Sequence, residues 1–508
     1  MIGKRVILLV MIVCAGFSAI GQKIVYSEPD RDDTRRLDFE VVGKISGNFI
    51  IYKNIRNRAW IVVLDNEMKQ IARIEQNYVP TDDRLINVDF FPYNDFFYTI
   101  FQYQKKNIVY CMAAKIDGAG KRIGELTELD TTHIGFAANN KIYTVLTSED
   151  KSKIGVFKVN SKNRNLYTMT TSLFNNKLEL QKKSRLQISM EERNDYLSDF
   201  QLDNDGDLVF CKFSRNSNDN ISKAALLVKY AQADDLMTKD LQIEKTWLDE
   251  IHIKVDNINK RYFLSSFYYK ENKGSIDGFY FYIWDKASAK PLVENANAFS
   301  DEIRREARGD AGTKLAFNDY FIRNIITRRD GGFIISSESY YTTSRFNNWN
   351  RWDYLYGSPL LSSGFNNYYY SPYYSRSYWN SRSSSNQAVR YHSDNMAIFS
   401  FSNTGKLEWS NVIGKSQFDD ESDDLLSYQL MNTGGELHFL FNQQERRNNL
   451  LSDFSIGPDG QMTRNPTLKN LERGYDFMPK FGKQVSTRQM IIPCLYRNYI
   501  CFAKVEYN

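Results

Sequence analysis

Acidic side chains recur at the start of strand-like runs along this chain. They are Asp38, Asp89, Asp199, Asp249, Glu250, Asp424 and Asp476. Two carboxyl groups at a suitable separation can act as acid and base in glycoside hydrolysis, and Asp199 and Glu250 are the candidates for such a pair. The alternative is structural, because buried carboxylates also accept hydrogen bonds from neighbouring backbone. We favour the structural role.

A second candidate site is a segment of unusual composition, residues 340–394. Between Tyr340 and Tyr391 it holds eleven tyrosines, three tryptophans and five arginines, with Asp353 as its one acid. Mixtures of Tyr, Ser, Asn and Arg are typical of adaptable binding surfaces, since aromatic rings give large contact area at low rotamer cost. A loop without a specific role is the alternative. The residues expected to bind a partner are Trp349, Trp352, Tyr368, Tyr369, Tyr370, Tyr373, Tyr374, Arg376 and Trp379.

Other motifs that carry chemistry are weak. The four histidines, His133, His252, His392 and His438, have no paired spacing, so we expect structural or exposed histidines and no zinc site. The run 203–207, Asp-Asn-Asp-Gly-Asp, resembles a calcium loop, but its glycine comes two positions early and no glutamate follows. A hairpin turn is favoured there. No nucleophile-elbow, Walker or Rossmann motif occurs, and we expect no cofactor or metal.

One cysteine pair has the spacing of a cross-strand pair. Cys494 and Cys501 flank Arg497-Asn498, and a two-residue turn there would place the two thiols opposite each other within bridging distance. A disulfide and two buried free thiols are equally compatible with this pattern. Four cysteines in so long a mature chain are too few for a disulfide framework.

The first 21 residues have the pattern of a secretory signal peptide. Lys4 and Arg5 precede the apolar run 6–13, and small residues end the segment, so the mature chain would begin at Gln22. An uncleaved membrane anchor is the alternative, although the run is short for spanning. We expect export to the periplasm or the outer surface, with no membrane span after signal removal. Losing Lys4 and Arg5 leaves 64 of the 66 basic residues against 61 acids, a balance that gives no reason to expect nucleic acid.

Turns bearing Gly, Asn or Asp recur before apolar, strand-like runs. They lie at 46–48, 93–95, 138–140, 203–206, 256–259, 330–332, 432–435 and 481–483. Most spacings are near the period of a β-propeller with four strands per blade. Longer spacings predict insertions at 160–195, at 296–318 with helix near 300–316, and at 340–394. The sequence predicts a single all-β propeller of about eight four-stranded blades over residues 22–508. Seven blades and two β-sandwich domains are the alternatives.

The last repeat unit is one strand short. Its runs 490–495 and 499–505 end the chain, whereas the run 23–27 near the start has no unit of its own. We expect this N-terminal run to supply the missing strand and to close the ring, which removes an exposed sheet edge. In such a ring the acids listed first surround one mouth of the central channel, and segment 340–394 leaves the blade on the face that propellers commonly use for ligands.

The clearest repeat, residues 321–415, resembles those of exported bacterial β-propellers. The run 329–337 reads Arg-Asp-Gly-Gly-Phe-Ile-Ile-Ser-Ser, and 403–409 reads Asn-Thr-Gly-Lys-Leu-Glu-Trp. In that family a D-G-G-[FY]-[IL] turn precedes a strand that ends N-G-x-[IL]-x-W. The resemblance implies the fold and no activity, because the repeat serves many functions.

These features together predict a non-enzymatic binding or scaffold protein of the bacterial envelope that docks a protein partner through the aromatic segment. The alternatives are a carbohydrate-active enzyme and a glycan-binding protein, either one using the channel mouth. Single-stranded nucleic acid is disfavoured by export and by the balanced charge. The sequence does not predict the oligomeric state.

Overall fold

A computed structural model describes most of the chain. The described residues are 22–31, 37–81, 83–138, 141–163, 165–191, 194–216, 220–272, 274–309, 312–344, 350–356, 389–445, 448–467 and 474–507. Within them lie 34 strands in seven hydrogen-bonded antiparallel sheets. One sheet has nine strands and contains two four-stranded groups, so the sheets form eight blades.

Each blade is an antiparallel meander whose first strand lies nearest the centre. Blade 1 consists of β2 (Leu37–Ile45), β3 (Asn48–Ile55), β4 (Arg58–Leu64) and β5 (Gln70–Glu75). Blade 2 consists of β6 (Arg84–Pro92), β7 (Phe96–Lys105), β8 (Ile108–Asp117) and β9 (Arg122–His133). Blade 3 consists of β10 (Thr144–Thr147), β11 (Lys153–Asn163), β12 (Leu166–Asn175) and β13 (Leu180–Ser189).

Blades 4 and 5 share the nine-stranded sheet. Blade 4 consists of β14 (Asp195–Leu202), β15 (Leu208–Arg215), β16 (Ile221–Lys229) and β17 (Met237–Asp240). Blade 5 consists of β19 (His252–Asp256), β20 (Arg261–Tyr269), β21 (Gly278–Asp285) and β22 (Lys290–Ala298). The short strand β18 (Trp247–Leu248) pairs with both β16 and β20 and joins the two blades.

The remaining blades complete the ring. Blade 6 consists of β23 (Tyr320–Thr327), β24 (Phe333–Ser344), β25 (Val389–Phe401) and β26 (Leu407–Asp419). Blade 7 consists of β27 (Tyr428–Asn432), β28 (Leu437–Glu445), β29 (Asn448–Ile456) and β30 (Met462–Arg464). Blade 8 has a first strand in two pieces, β31 (Tyr475–Phe477) and β32 (Lys483–Ser486), followed by β33 (Gln489–Tyr496), β34 (Tyr499–Glu506) and β1 (Lys23–Tyr26).

Contacts between first strands show that the blades form a ring. β2 contacts β6, β10 contacts β14, β14 contacts β19, β19 contacts β23, and β32 of the last blade contacts β2 of the first. Hydrogen bonds between the two end strands close the ring, because β1 pairs antiparallel with β34 from Lys23↔Glu506 to Tyr26↔Ala503. The Tyr26 ring stacks on Tyr475, with ring centroids 4.3 Å apart. The predicted propeller of about eight blades, closed by the N-terminal run, is therefore confirmed.

Side-chain chemistry explains why the hairpin turns recur. Asp65, Asp117 and Asp203 each accept hydrogen bonds from the backbone N–H groups two and four residues further on. One carboxylate thus closes a tight turn between two strands, which is the local preference of Asp and Asn. Aromatic rings fill the space between blades; Phe279 of blade 5, for example, meets Phe399 of blade 6 edge to face at 5.0 Å.

Two sequence expectations about blade 3 are wrong. Residues 160–195 are not an insertion, because most of them form β11, β12 and β13 of blade 3. The first hairpin turn of that blade lies between β10 and β11, at 148–152, and not at 138–140. The polar composition arises because β13 is the outer strand, where every second side chain is exposed.

Helices occur in the connections between strands. The helix Asp301–Ala307, capped by the Ser300 side chain, and the 3-10 helix Thr313–Leu315 lie between β22 and β23. The helix Arg351–Tyr356, hereafter the anchor helix, lies between β24 and β25. Another 3-10 helix, Pro479–Phe481, separates β31 from β32. Among the described residues, no helix is long and apolar enough to cross a membrane.

Candidate functional site: a charge cluster beneath the anchor helix

Topology places the insertion and the strand starts at the same end of the blades. Because the strands alternate in direction, the start of the first strand and the connection from the second to the third lie at one edge of each blade. We call this edge the upper face. The anchor helix belongs to it, since it lies between the second and third strands of blade 6.

The acids singled out in the sequence all lie on or directly before first strands. Asp38, Asp89, Asp199 and Asp476 lie within β2, β6, β14 and β31, whereas Asp249 and Glu250 precede β19 and Asp424 precedes β27. Some of them have local partners. Asp89, for example, pairs with Lys141 at 2.8 Å. Asp199, Asp249 and Glu250 come together around His252.

His252 lies between two carboxylates from neighbouring blades. Its Nε2 is 3.0 Å from Glu250 Oε2, and its Nδ1 is 4.0 Å from Asp199 Oδ2. Asp199 occupies a β-bulge in β14 with a φ of 53°, a device that redirects a side chain. Its carboxylate accepts a hydrogen bond from the Ile253 N–H of β19. The bulge therefore links blade 4 to blade 5.

Arg351 of the anchor helix covers this group from above. Its Nε and Nη2 donate to Asp249 Oδ2 at 2.8 and 2.6 Å, and its Nη1 donates to the Asn318 carbonyl at 3.1 Å. Glu250 Oε1 is 3.5 Å from Nη2. The guanidinium also lies 3.8 Å from the centre of the Phe321 ring, a cation–π contact. The planar guanidinium of Arg can donate several hydrogen bonds and stack on an aromatic ring, whereas the ammonium of Lys cannot do both.

Trp352 fixes the anchor helix beside Arg351. The side chain is 3% exposed and packs in the core shared by blades 4 and 5. Its ring meets Tyr196 at 5.9 Å and Phe213 at 6.3 Å, and the Arg215 guanidinium lies 4.6 Å from its centre. Leu355 is buried in the same core. The beginning of the aromatic insertion is thus docked across blades 4, 5 and 6.

Burial and neighbouring charges set the protonation of the cluster. Burial raises the pKa of Asp199, and the charge of His252 offsets part of that effect. Burial alone would lower the pKa of His252, but the hydrogen bond and charge of Glu250, with the charges of Asp199 and Asp249, outweigh it and raise the pKa. The cluster therefore favours a protonated His252 between two acids.

The cluster has little capacity left for proton transfer. Glu250 is 1% exposed, and besides His252 it accepts a hydrogen bond from the Ile322 N–H at 2.6 Å. The second oxygen of Asp249 accepts from the Tyr269 hydroxyl at 2.7 Å. Arg351, His252 and backbone groups together engage the carboxylates. We read this arrangement as a structural seat for the anchor helix.

The turn that resembles a calcium loop contains its own cation. The Lys286 Nζ lies 2.6 Å from one oxygen each of Asp203, Asp205 and Asp207. Lys286 comes from the turn between β21 and β22 of the neighbouring blade, so the ion pairs join blades 4 and 5. In the described part of the chain, no group of three or more His, Cys, Asp or Glu is arranged to hold a metal ion.

The predicted binding residues fall mostly outside the described ranges. Trp352 is described and buried, so it holds the insertion in place and is not exposed to a partner. The others, Trp349, Tyr368, Tyr369, Tyr370, Tyr373, Tyr374, Arg376 and Trp379, lie outside the described residues. β24 and β25 extend into the predicted insertion, since Ser344 pairs with Val389. The connection between these two strands is therefore 345–388.

The cysteine pair has the predicted register. Cys494 lies directly opposite Cys501, and Arg497-Asn498 form the two-residue turn with φ values of 49° and 68°. Both thiols are free and buried, and their sulfur atoms are 3.0 Å apart. Burial, with the neighbouring Cys501, raises the pKa of Cys494. Formation of the disulfide stays a prediction, which mass mapping of non-reduced peptides tests.

Sequence reasoning missed two central members of the cluster. His252 was expected to have a structural or exposed role because its spacing to other histidines carries no signal. Arg351 is one of the five arginines of segment 340–394, for which the sequence predicts partner binding. The short run 249–252, Asp-Glu-Ile-His, carried a usable signal, since it concentrates three titratable groups directly before a first strand.

The four-stranded blades and the closed ring define this chain as a β-propeller protein. No protein-family model matches it, and no curated protein matches it significantly in sequence. Among solved structures it is similar to dihydro-heme d1 dehydrogenase NirN in complex with DHE, with 11% identity and a TM-score of 0.34 over 92% of this chain and 72% of that chain.

Two further structures give similar values. A polysaccharide lyase, the PL25 ulvan lyase, is 9% identical with a TM-score of 0.37 over 83% of this chain and 93% of that one. Prolyl oligopeptidase B from Galerina marginata is 8% identical with a TM-score of 0.41 over 91% of this chain. The chain spans 56% of that oligopeptidase. At such low identities and TM-scores, the similarities give no information about the activity or the ligand of this chain.

Proposed function

We propose that this chain is an exported binding or scaffold propeller of the bacterial envelope that docks a protein partner through its aromatic insertion. The observation that carries the proposal is the seat of the anchor helix. Arg351 and Trp352 are held by a buried ion pair and a buried aromatic core. The insertion is thereby fastened to the upper face before its most aromatic part begins.

The composition of residues 357–388 supports a docking role. This stretch has six tyrosines, one tryptophan, two arginines and ten serines, with no acid and no lysine. Tyr, Trp and Arg are enriched where partners bury the most surface, and Lys is depleted there. The arginines give the stretch a positive charge, which favours a partner surface with exposed acidic and apolar groups.

Export is compatible with the position of the closing strand. β1 begins at Lys23, directly after the expected cleavage site at Gly21. Removal of the signal would thus leave the strand that completes blade 8 intact. The enzyme alternative has less support, because Asp199 and Glu250 are both engaged by His252 and by backbone N–H groups.

A length-preserving variant tests the proposal. In this variant, six aromatic residues of the insertion are changed together to serine: Tyr368, Tyr369, Tyr370, Tyr373, Tyr374 and Trp379. Quantitative crosslinking mass spectrometry on envelope preparations then compares the variant with the unchanged protein. Since aromatic hot spots each contribute about 2 kcal/mol or more, we expect at least a tenfold loss of the crosslinked partner.

Exposed aromatics elsewhere supply the matched control. Phe418 and Tyr499 expose 54% and 44% of their surfaces and lie outside the connection 345–388. Changing both to serine should leave the crosslinked partner unchanged. Equal crosslinking by the test variant would contradict the proposal. Glycan-array binding that is lost in the test variant, with no protein partner, would show that the insertion binds glycans instead.

A further inference from the structure

The first strand of blade 8 is broken, and the break opens a cavity in the channel wall. Between β31 and β32 the chain makes the 3-10 turn Pro479–Phe481. A cavity of about 200 Å³ lies between this turn and β2 of blade 1, lined by Glu40, Lys480 and Lys483 together with Phe39 and Phe481. One water occupies ~30 Å³ in the liquid. The cavity therefore has room for a small organic molecule.

Two charged groups in this cavity, Glu40 and Lys483, form only a loose ion pair. The shortest distance between Glu40 and Lys483 is 3.9 Å, from Oε1 to Nζ, which is too long for a hydrogen bond. Neither side chain makes a hydrogen bond within the described ranges. Both side chains are partly buried, with 26% of Glu40 and 36% of Lys483 exposed. Lys480 differs, because it pairs with Asp423 at 2.6 Å.

The surrounding charges leave the cavity positive when Glu40 is neutral. Burial raises the pKa of Glu40 to about 7; Lys483 and Lys141 oppose the rise, whereas Asp89 adds to it. Asp89 and Lys141 form their own pair at 2.8 Å. The ammonium of Lys151 lies near enough to Lys483 for their charges to interact. With Glu40 protonated, Lys483 faces the cavity without a compensating charge among the described residues.

We propose that this cavity binds a small ligand that carries an oxyanion, a carboxylate or a sulfate ester, on a group of monosaccharide size. The Lys483 ammonium pairs with the oxyanion, and the protonated Glu40 carboxyl donates a hydrogen bond to it. The partly exposed ring of Phe481, which meets the buried Phe39 ring edge to face at 6.2 Å, forms an apolar wall for the remainder of the ligand. The site does not depend on the aromatic insertion.

Calorimetric titration with three matched sugars tests this proposal. D-galacturonate carries a carboxylate, D-galactose 6-sulfate carries a sulfate ester, and D-galactose carries neither. We expect one or both charged sugars to bind and D-galactose to bind at least tenfold more weakly, since a hydrogen bond to a charged group changes affinity by about tenfold or more. The two charged arms show which oxyanion is preferred. Absence of binding by both charged sugars, or equal binding by D-galactose, overturns the proposal.

Variants at the two groups give a second readout. Lys483→Met should weaken binding of the charged sugar by about tenfold or more, whereas Lys177→Met, at an exposed turn of blade 3, should not change it. Glu40→Gln keeps a hydrogen-bond donor at this position at neutral and alkaline pH, because the amide does not ionise. The unchanged protein should lose affinity as the pH rises through about 7, and Glu40→Gln should not. Unchanged affinity in Lys483→Met, or the same pH profile in Glu40→Gln, overturns the assignment.

Discussion

Two charged regions near the centre of this propeller use similar residues in opposite ways. Beneath the anchor helix, Asp249 and Glu250 are engaged by Arg351, His252, Tyr269 and a backbone N–H. In the cavity between blades 8 and 1, Glu40 and Lys483 stand 3.9 Å apart and form no hydrogen bond in the described part of the chain.

The difference separates groups that stabilise the fold from groups available to a ligand. A buried charge is strongly unfavourable unless it is paired and hydrogen-bonded. The first region meets that condition with its own side chains, so its carboxylates are structural. In the second region, Glu40 and Lys483 are fully hydrogen-bonded only when water or a ligand supplies the missing partners. Residue type alone does not distinguish the two regions.

Breaking the ion pair between Asp249 and Arg351 should have the largest effect on the free energy of unfolding. Asp249→Asn keeps the side-chain shape but removes the charge opposite Arg351, which then lies largely buried without its main partner. We expect a loss of about 3 kcal/mol in the free energy of unfolding, measured by urea titration. Limited proteolysis should also show faster cleavage near the anchor helix.

Asp420→Asn is the matched control for that variant. Asp420 forms a two-point pair with Arg390, at 2.6 and 3.0 Å, but both side chains are exposed. An exposed pair contributes little, so this variant should unfold like the unchanged protein. Equal stability losses in the two variants would show that burial of the Asp249 pair has no special role.

Removing the internal cation of the 203–207 turn should have the next largest effect. Lys286→Met leaves Asp203 and Asp207, both almost fully buried, without their ammonium partner. We expect a loss of about 2 kcal/mol in the free energy of unfolding. Calcium should restore part of this loss, because the variant has the open carboxylates that calcium prefers.

Lys260→Met is the control at the same turn. Lys260 also bonds Asp205, at 2.9 Å, but it is half exposed and does not reach Asp203 or Asp207. Its loss should change stability little, and calcium should have no effect on it or on the unchanged protein. Equal stabilisation of the unchanged protein and of Lys286→Met by calcium would contradict the role of Lys286 as the cation that pairs with these carboxylates.

The smallest expected effect is a pH dependence that arises from His252. Because its folded pKa is raised above 6.5, protonated His252 stabilises the fold. This contribution is fully present below pH 6.5 and is lost as the pH rises through the folded pKa. The stability difference between the unchanged protein and His252→Gln should therefore shrink as the pH rises above 6.5. A difference that stays constant across this range would contradict the assignment.

The ring was predictable because its turns and strands follow short-range rules, and its closure was predictable because one unpaired run complements one missing strand. Turn residues at a regular spacing define the blades, and the unpaired run at Lys23 matched the missing strand of blade 8. Blade 3 was misread, since the polar outer strand β13 and the short β10 obscure its repeat. Polarity on an outer strand reflects solvent exposure and does not mark an insertion.

The candidate sites were less predictable, because they depend on contacts between distant segments. Arg351 and Asp249 are about a hundred residues apart, and Lys483 and Glu40 come from opposite ends of the chain. Asp199 and Glu250 were identified from their positions before or on first strands. Their role could not be predicted, because it depends on the bulge at Asp199 and on Arg351.

Excision of residues 357–388 tests the central claim most directly. A short Gly/Ser bridge from Tyr356 to Val389 would keep the anchor helix, its ion pair with Asp249 and the paired ends of β24 and β25. Melting and crosslinking to envelope partners are then measured on the same preparation. The proposed function predicts an unchanged melting temperature together with loss of the crosslinked partner. Retention of the partner would contradict it.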